Sequence, residues 1–422
     1  MTLVANMQRR HFLQLGGVAA LGTLLPVTRI LAQDSFAGLS NMATDAKPIS
    51  REERLQRLAK AQRLMREQGM SALLIEPGSS LDYFTGVQWW RSERLTAAVL
   101  GADGALAIVT PFFEEPSIQE SLSVEAEILT WDEHENPLRK VADWLARTGN
   151  TSGNIGIEKT VRFFAVDGLK RVMPDAKIVS ASPVILGCRM FKSASELALM
   201  QTASDITLAA YAYTLPRIER GMTPSDISAI MNGATRALGG QPKFAIALVG
   251  EAAAYPHGSD QPQEVKEGEI VLMDCGCSVH GYRSDISRTI VYGEPTAKQR
   301  QVWQHMRNGQ DVVFEAAQIG VAAGSVDDAV RAYYETLGYG PDYKLPGTSH
   351  RTGHGIGMDG HESINLVRGE TTELAAGMCF SNEPGIYLPG EFGVRIEDCF
   401  YMTEDGPRYF TQPSKAIDEP FG

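Results

Sequence analysis

The chain has little cysteine, and what it has is badly placed for covalent or zinc chemistry. Cys188, Cys275, Cys277, Cys379 and Cys399 are an odd number at irregular spacing, which excludes a disulfide framework and a zinc ribbon. Cys275 and Cys277 form CxC rather than CxxC and are expected to be small hydrophobes packed in a strand. A basic stripe is also missing, and the formal net charge is -12, which excludes a nucleic-acid binder and leaves a small or neutral molecule as the expected partner. No repeat at solenoid period and no low-complexity block interrupts the chain. What remains is ordinary globular material, 43% hydrophobic, in a chain of 422 residues that is too long for one core and predicts two or three domains.

The N-terminus is read apart from the fold. Arg9-Arg10 precede an apolar run over residues 12–27, and Ile30-Leu31-Ala32 offer a cleavage site ahead of Gln33. The run is shorter than the ~20 residues a spanning helix needs, and Gln14, a Gly pair and Pro26 weaken it further. Residues 1–32 therefore predict a twin-arginine export signal, 33–49 a linker, and the mature protein a periplasmic one with no stable membrane insertion. Export by that route moves folded protein, which suits an enzyme that takes up its metal before leaving the cytoplasm.

From Ser50 the pattern becomes regular. Ser50 with Glu53 predicts a capping box, and Leu55, Leu58, Gln62 and Met65 follow at helical spacing until Gly69. A strand over 72–76, a hairpin of 96–100 and 105–110 around GADG, and strands near Ile128, Ile155 and Ile178 follow. They alternate with helices starting near Pro137 and Phe163, which predicts a small α/β domain over 50–187. A second capping box, Ser193 with Glu196, opens a helix expected to run to Gly221, and further helices start at Thr223, Thr296 and Ser325 in a second domain over 188–422. In the first domain, Trp89, Trp90 and Arg91 follow a Tyr-Phe-Thr-Gly turn. Arg91 is either a substrate-facing group on a pocket rim or a solvated one beside locally packed tryptophans.

The chemistry is concentrated in the second half. Strand-like runs 271–277 and 286–292 flank a polar turn at His280-Gly281, so Asp274 and Asp285 can face each other across a hairpin. A second hairpin, 381–387 with 394–398, presents Glu383 and Glu397, and between the two lies HRTGHGIGMDGHE with His350, His354 and His361. An ionised carboxylate inside a buried strand is costly unless a cation meets it. Four carboxylates and an imidazole make a set that suits divalent Mn, Co, Fe or Zn, two ions being the natural number for bridging carboxylates.

The order Asp, Asp, His, Glu, Glu with these flanking sequences resembles the creatinase, prolidase and aminopeptidase P family of pita-bread metallopeptidases, from about residue 50 to the end. The resemblance implies a creatinase-like N-terminal domain followed by a pita-bread catalytic domain, two divalent ions (manganese foremost), a homodimer, and hydrolysis of Xaa-Pro bonds in short peptides by a hydroxide held at the metals. It makes Asp274, Asp285, His354, Glu383 and Glu397 the ligands, Asp285 and Glu397 the bridges, and Glu383 the general base. It also implies His257 and His361 as groups facing substrate and intermediate, His350 as a further pocket histidine, and Arg395, with Tyr387, as substrate-side groups. Two other readings stay open. One is a lyase or a hydrolase of a small amide or ester on the same fold, and the other a non-catalytic peptide-binding relative.

Overall fold

The computed structural model describes residues 36–421. The expected export signal and Arg9-Arg10 lie outside the described residues. Residues 39–422 form one compact unit. Among the described residues no helix is long and apolar enough to cross a membrane.

The first half is built on a six-stranded sheet. Its strands are β1 (Met70–Ile75), β2 (Ala97–Gly101), β3 (Leu106–Pro111), β4 (Glu127–Trp131), β5 (Asn154–Ile157) and β6 (Ile178–Ser180), in the order β4-β3-β2-β1-β5-β6. The β2–β3 hairpin is antiparallel around GADG, as its turn residues predict, and β4, β5 and β6 add in parallel. Parallel strands need crossovers, and the helices Pro137–Arg147 and Phe163–Val172 supply two of them.

The first helix, Arg51–Glu67, departs from its sequence reading in two ways. Ser50 caps it, but Glu53 does not return the bond, because its carboxylate is drawn away by Arg57 and the Ser193 hydroxyl. Its buried face is Arg54, Arg57, Leu58, Ala61 and Met65, while Leu55 faces solvent. Arg54 and Arg57 can be buried because Asp82, Glu53 and Glu196 neutralise them. The helix Ala194–Thr214 has the expected capping box but stops seven residues short of Gly221. Pro216 lacks the N–H the next turn requires, and a 3-10 turn, Leu215–Arg217, replaces it.

The second half holds two further sheets. One contains β7 (Gln241–Val249), β8 (Ile270–Val279), β9 (Tyr282–Arg283) and β10 (Ile286–Val291), ordered β10-β8-β7 with β9 on β8. The other runs β12-β11-β13-β16-β17, from β11 (Gly353–Gly355), β12 (Glu362–Leu366), β13 (Cys379–Asn382), β16 (Asp398–Thr403) and β17 (Gly406–Tyr409), with β14 (Ile386–Leu388) and β15 (Phe392–Val394) as a separate pair. Helices Ala297–Ala316 and Ala323–Thr336 bury Trp303, Met306, Val313, Val326 and Val330 in one core with Leu272, Phe380 and Phe400 from both sheets and Ile396 from the connection before β16. All five cysteines are free and buried, with Cys275 and Cys277 packed in β8 as expected.

The two halves meet in a polar cluster. Glu362 accepts hydrogen bonds from Arg189 and Lys192, which lie between the halves in sequence, and Arg189 also reaches Ser80. Burial alone would raise the Glu362 carboxyl, but Lys192 and Arg189 outweigh it and hold it at about 2, so the cluster is ionised.

Candidate metal centre

Two antiparallel ladders deliver the carboxylates. In the first, β8 and β10 pair with Asp274 opposite Ser287, so Asp285, just before β10, approaches Asp274 diagonally rather than directly across. The reason is the turn. His280 and Gly281 both have positive φ, as a two-residue I′ hairpin requires, and β9 folds back on β8 before the chain re-enters the ladder. In the second, the β13–β16 ladder ends at the pair Asn382 and Asp398, and Glu383 and Glu397 follow at that end. Ser287 and Glu397 exchange both backbone hydrogen bonds, at 3.3 and 3.0 Å, which stitches the two ladders together.

The imidazole comes from β11, between β12 and β13. The glycine before it is forced, since a Cβ on Gly353 would stand 2.2 Å from the Ser381 carbonyl oxygen. His354 Nδ1 lies 3.1 Å from the Gly355 carbonyl, the geometry of an N–H donor, which leaves the Nε2 lone pair facing the carboxylates. From Nε2 the distances are 3.3 Å to Glu383, 3.7 Å to Asp285 and 4.0 Å to Glu397. Burial, then the charge of His361, pushes His354 well below the usual histidine range, so it is neutral and its lone pair meets carboxylate oxygens.

By themselves these groups oppose one another. Burial, reinforced by neighbouring carboxylates, pushes Asp285 and Glu397 well above the usual range. Burial raises Glu383 to about 7 against the pull of Arg395. Two like charges 4 Å apart repel by about 4 kcal/mol at an effective dielectric of 20, so four clustered carboxylates call for added positive charge. Asp274 Oδ1 and Glu397 Oε1 are buried with no hydrogen-bond partner among the described residues, although Arg395 takes the other Asp274 oxygen and Ser287 the other Glu397 oxygen. Buried polar atoms are rarely left so, and the donor set is the hard and borderline kind that binds divalent cations. Three groups have ligand atoms within 4.8 Å of one another: Asp274, Asp285 and Glu397; His354, Glu383 and Glu397; and Asp285, His354 and His361. The residues present fit the metals.

The centre lines a cavity of about 970 Å³ together with His257, His350, His361 and Arg395. The geometry gives some of these groups other tasks than the ones expected. Arg395 donates to Asp274, the Ser287 hydroxyl, the Pro256 carbonyl and the Tyr387 hydroxyl, so its guanidinium braces the Asp274 carboxylate and the His257 loop. Tyr387 is fully buried behind the wall, and its hydroxyl is engaged by Arg395 and by His350 Nε2 at 2.8 Å. His350 Nδ1 meets the Arg351 carbonyl at 2.7 Å, so both ring nitrogens are tied, and burial with Arg395 pushes it down to about 3. Arg91 does not line the cavity; it bonds to the Pro77 carbonyl and to Thr160, and Thr160 with Lys159 forms that wall. Trp89 and Trp90 stack on each other at 4.4 Å.

Sequence reasoning passed over Arg283 and Arg351. Both line the cavity, and neither forms an ion pair with a carboxylate among the described residues. Arg283 stands two residues before Asp285, on the same side of an extended chain, which is the signal that could have marked it.

Comparison with known proteins agrees with this geometry. Residues 198–404 match the model of metallopeptidase family M24, and residues 57–191 that of the creatinase/prolidase N-terminal domain. The chain is 33% identical over 374 residues to an Xaa-Pro dipeptidase of Lactobacillus delbrueckii subsp. lactis, covering 85% of this chain and 98% of the relative. Its fold superposes on dipeptidase PepE from Mycobacterium ulcerans with a TM-score of 0.78 at 31% identity, over 87% of this chain and 97% of that one. Prolidase from Thermococcus sibiricus gives 0.78 at 28% identity, over 85% and 96%. A relative matched at this identity over nearly its whole length leaves no room for a chance likeness: the chain belongs to metallopeptidase family M24, with the N-terminal domain of the creatinases and prolidases.

Proposed function

We propose that the protein is a metal-dependent peptidase that hydrolyses Xaa-Pro bonds in short peptides, dipeptides foremost, with two divalent ions, manganese preferred. The observation that carries the reading is the buried group of four carboxylates and His354 with two orphaned oxygens, in a cavity large enough for a small peptide. Asp274, Asp285 and Glu397 would hold one ion, and His354 and Glu383, with the shared carboxylates, the other. When bound, the cations supply Lewis acidity toward the scissile carbonyl and lower the pKa of water.

The chain's own groups do the rest. Glu383 takes the proton released as water attacks and passes it to the leaving nitrogen, which in an Xaa-Pro bond is proline's. His361 and His257 present ring N–H groups where oxyanion charge develops. Tyr387 and Arg395 hold His350 and the His257 loop in place. A screen of Xaa-Pro dipeptides, tripeptides and non-peptide amides against protein loaded with Mn, Co, Zn or Fe tests the reading. Turnover confined to non-peptide substrates, or metal-replete protein that turns over nothing, would defeat it.

Arg283 and Arg351 support the preference for dipeptides. Two guanidiniums in one cavity, without carboxylate partners among the described residues, suit the free terminal carboxylate that a dipeptide places just beyond its scissile bond. Hydrogen bonds to charged groups contribute about 1.5–3 kcal/mol, so amidating the C-terminus of an Xaa-Pro dipeptide is expected to lower kcat/KM roughly 10–100-fold. Equal processing of acid and amide would remove these arginines from recognition.

We also propose export to the periplasm by the twin-arginine route, and a homodimer as the working form. The Arg9-Arg10 pair and the short apolar run behind it support the first. Replacing both arginines by lysine should leave folded, active protein in the cytoplasm, as fractionation would show. Periplasmic delivery of that variant would point to the general secretory route instead.

A further inference from the structure

His361 is placed over the centre without an anchor of its own. Its ring lies edge-on to His354 with centroids 4.2 Å apart, and among the described residues its nitrogens make no hydrogen bond. Its position is therefore set by the backbone that carries it, and that backbone is wound around the next side chain. Glu362 Oε1 accepts from the backbone N–H groups of Met358 at 3.1 Å and Asp359 at 3.3 Å, closing the loop onto its own carboxylate. The same oxygen accepts from Arg189 at 2.6 Å, and Oε2 accepts from Lys192 at 3.0 Å. The fit is close: a Cβ on Gly357 would stand 2.8 Å from Glu362 Oε1 and 2.9 Å from Lys192 Cε, so a side chain there would have to push the carboxylate and the lysine aside. Two further bonds fix the outer side of the loop, from Arg189 and the Ser79 hydroxyl to the two Asp359 oxygens at 2.9 and 2.5 Å.

We propose that Glu362 is a positioning residue for His361: its carboxylate, held by Arg189 and Lys192, shapes the loop that sets the imidazole over the metal centre. The first half of the chain takes part in this, because Ser79 and Ser80 bond to the loop and to Arg189. Glutamine cannot replace the carboxylate, since its NH2 group would confront one of the donors that now converge there. The placement stands on geometry, and its effect on turnover rests on the proposed role of His361.

A crystal structure of metal-replete Glu362→Gln protein reads the placement directly. The His361–His354 edge contact should be lost or split between conformers while the five ligand side chains stay in register; an unchanged contact overturns the proposal. Kinetics on an Xaa-Pro dipeptide give the second reading. Glu362→Gln should lower kcat roughly 10²-fold, as a misplacement near 1 Å does, with KM and metal content little changed. In a His361→Ala background the same substitution should cost almost nothing more, because the two residues act as one unit. A loss of equal size in both backgrounds overturns the proposal in favour of a general structural role. If Glu362→Gln does not fold, Arg189→Lys, which keeps the charge but cannot span Glu362 and Asp359, enters the same measurements. A displaced ring combined with full activity of His361→Ala would leave the placement standing and remove His361 from the mechanism.

Discussion

Asp285→Ala should lose most of its bound metal and essentially all peptidase activity, measured by elemental analysis and dipeptide hydrolysis on the same preparation. Asp285 is one of two residues that appear in two of the three cation-binding groups through a carboxylate, the other being Glu397. Removing it therefore weakens both proposed ion positions at once. A variant that kept two ions per chain and normal turnover would end the dinuclear assignment.

The same substitution should act on stability with opposite signs in the two metal states. Burial and the neighbouring carboxylates raise Asp285 well above its usual range, so in ion-free protein the group destabilises the fold once the pH exceeds its unfolded value of about 3.9. That cost is absent at lower pH and grows as the pH rises. At neutral pH, ion-free Asp285→Ala should melt at or above the temperature of the ion-free parent. With saturating Mn the order should invert, because the parent gains binding free energy that the variant cannot. Matching shifts of the same sign in both states would show that Asp285 serves packing rather than metal.

The ladders, the residues gathered at the candidate centre and the alternation of the first half were legible because each depends on local pattern. Period-two runs around Asp274, glycines where strands approach closely, and Ser193 with Glu196 carry their signals within a few residues. What escaped depends on partners far along the chain. Glu53 could form a capping box only if Arg57 and Ser193 did not compete for its carboxylate. Arg395 looks like a free cation beside a glutamate, yet Asp274, Ser287 and Pro256, which absorb its donors, lie more than a hundred positions earlier. His350 reads as a further pocket histidine until Tyr387 and the Arg351 carbonyl are seen to hold both its nitrogens. Arg283 and Arg351 are the converse: residues of the most ordinary surface type, whose lack of a carboxylate partner among the described residues becomes informative only once a cavity encloses them.

The second large effect separates two histidines that touch each other. His354→Ala should shed metal along with activity, since it removes the one nitrogen directed at three carboxylates. His361→Ala should keep its metal and lose roughly 10²–10³ in kcat, the usual size for removing one donor to developing oxyanion charge. Its KM should move far less, because an interaction made mainly in the transition state lowers kcat and kcat/KM together. The geometry sharpens this test, for His361 stands within reach of an ion shared with Asp285 and His354. Loss of one ion from His361→Ala would make it a ligand and pass the donor role to His257, which lines the same cavity. Near-normal turnover with full metal would reduce His361 to a space-filling residue beside the Met358–Gly360 turn. Only retained metal with depressed kcat agrees with a ring that is exposed, hydrogen-bonded to nothing among the described residues and set against His354, a donor held ready for a substrate atom.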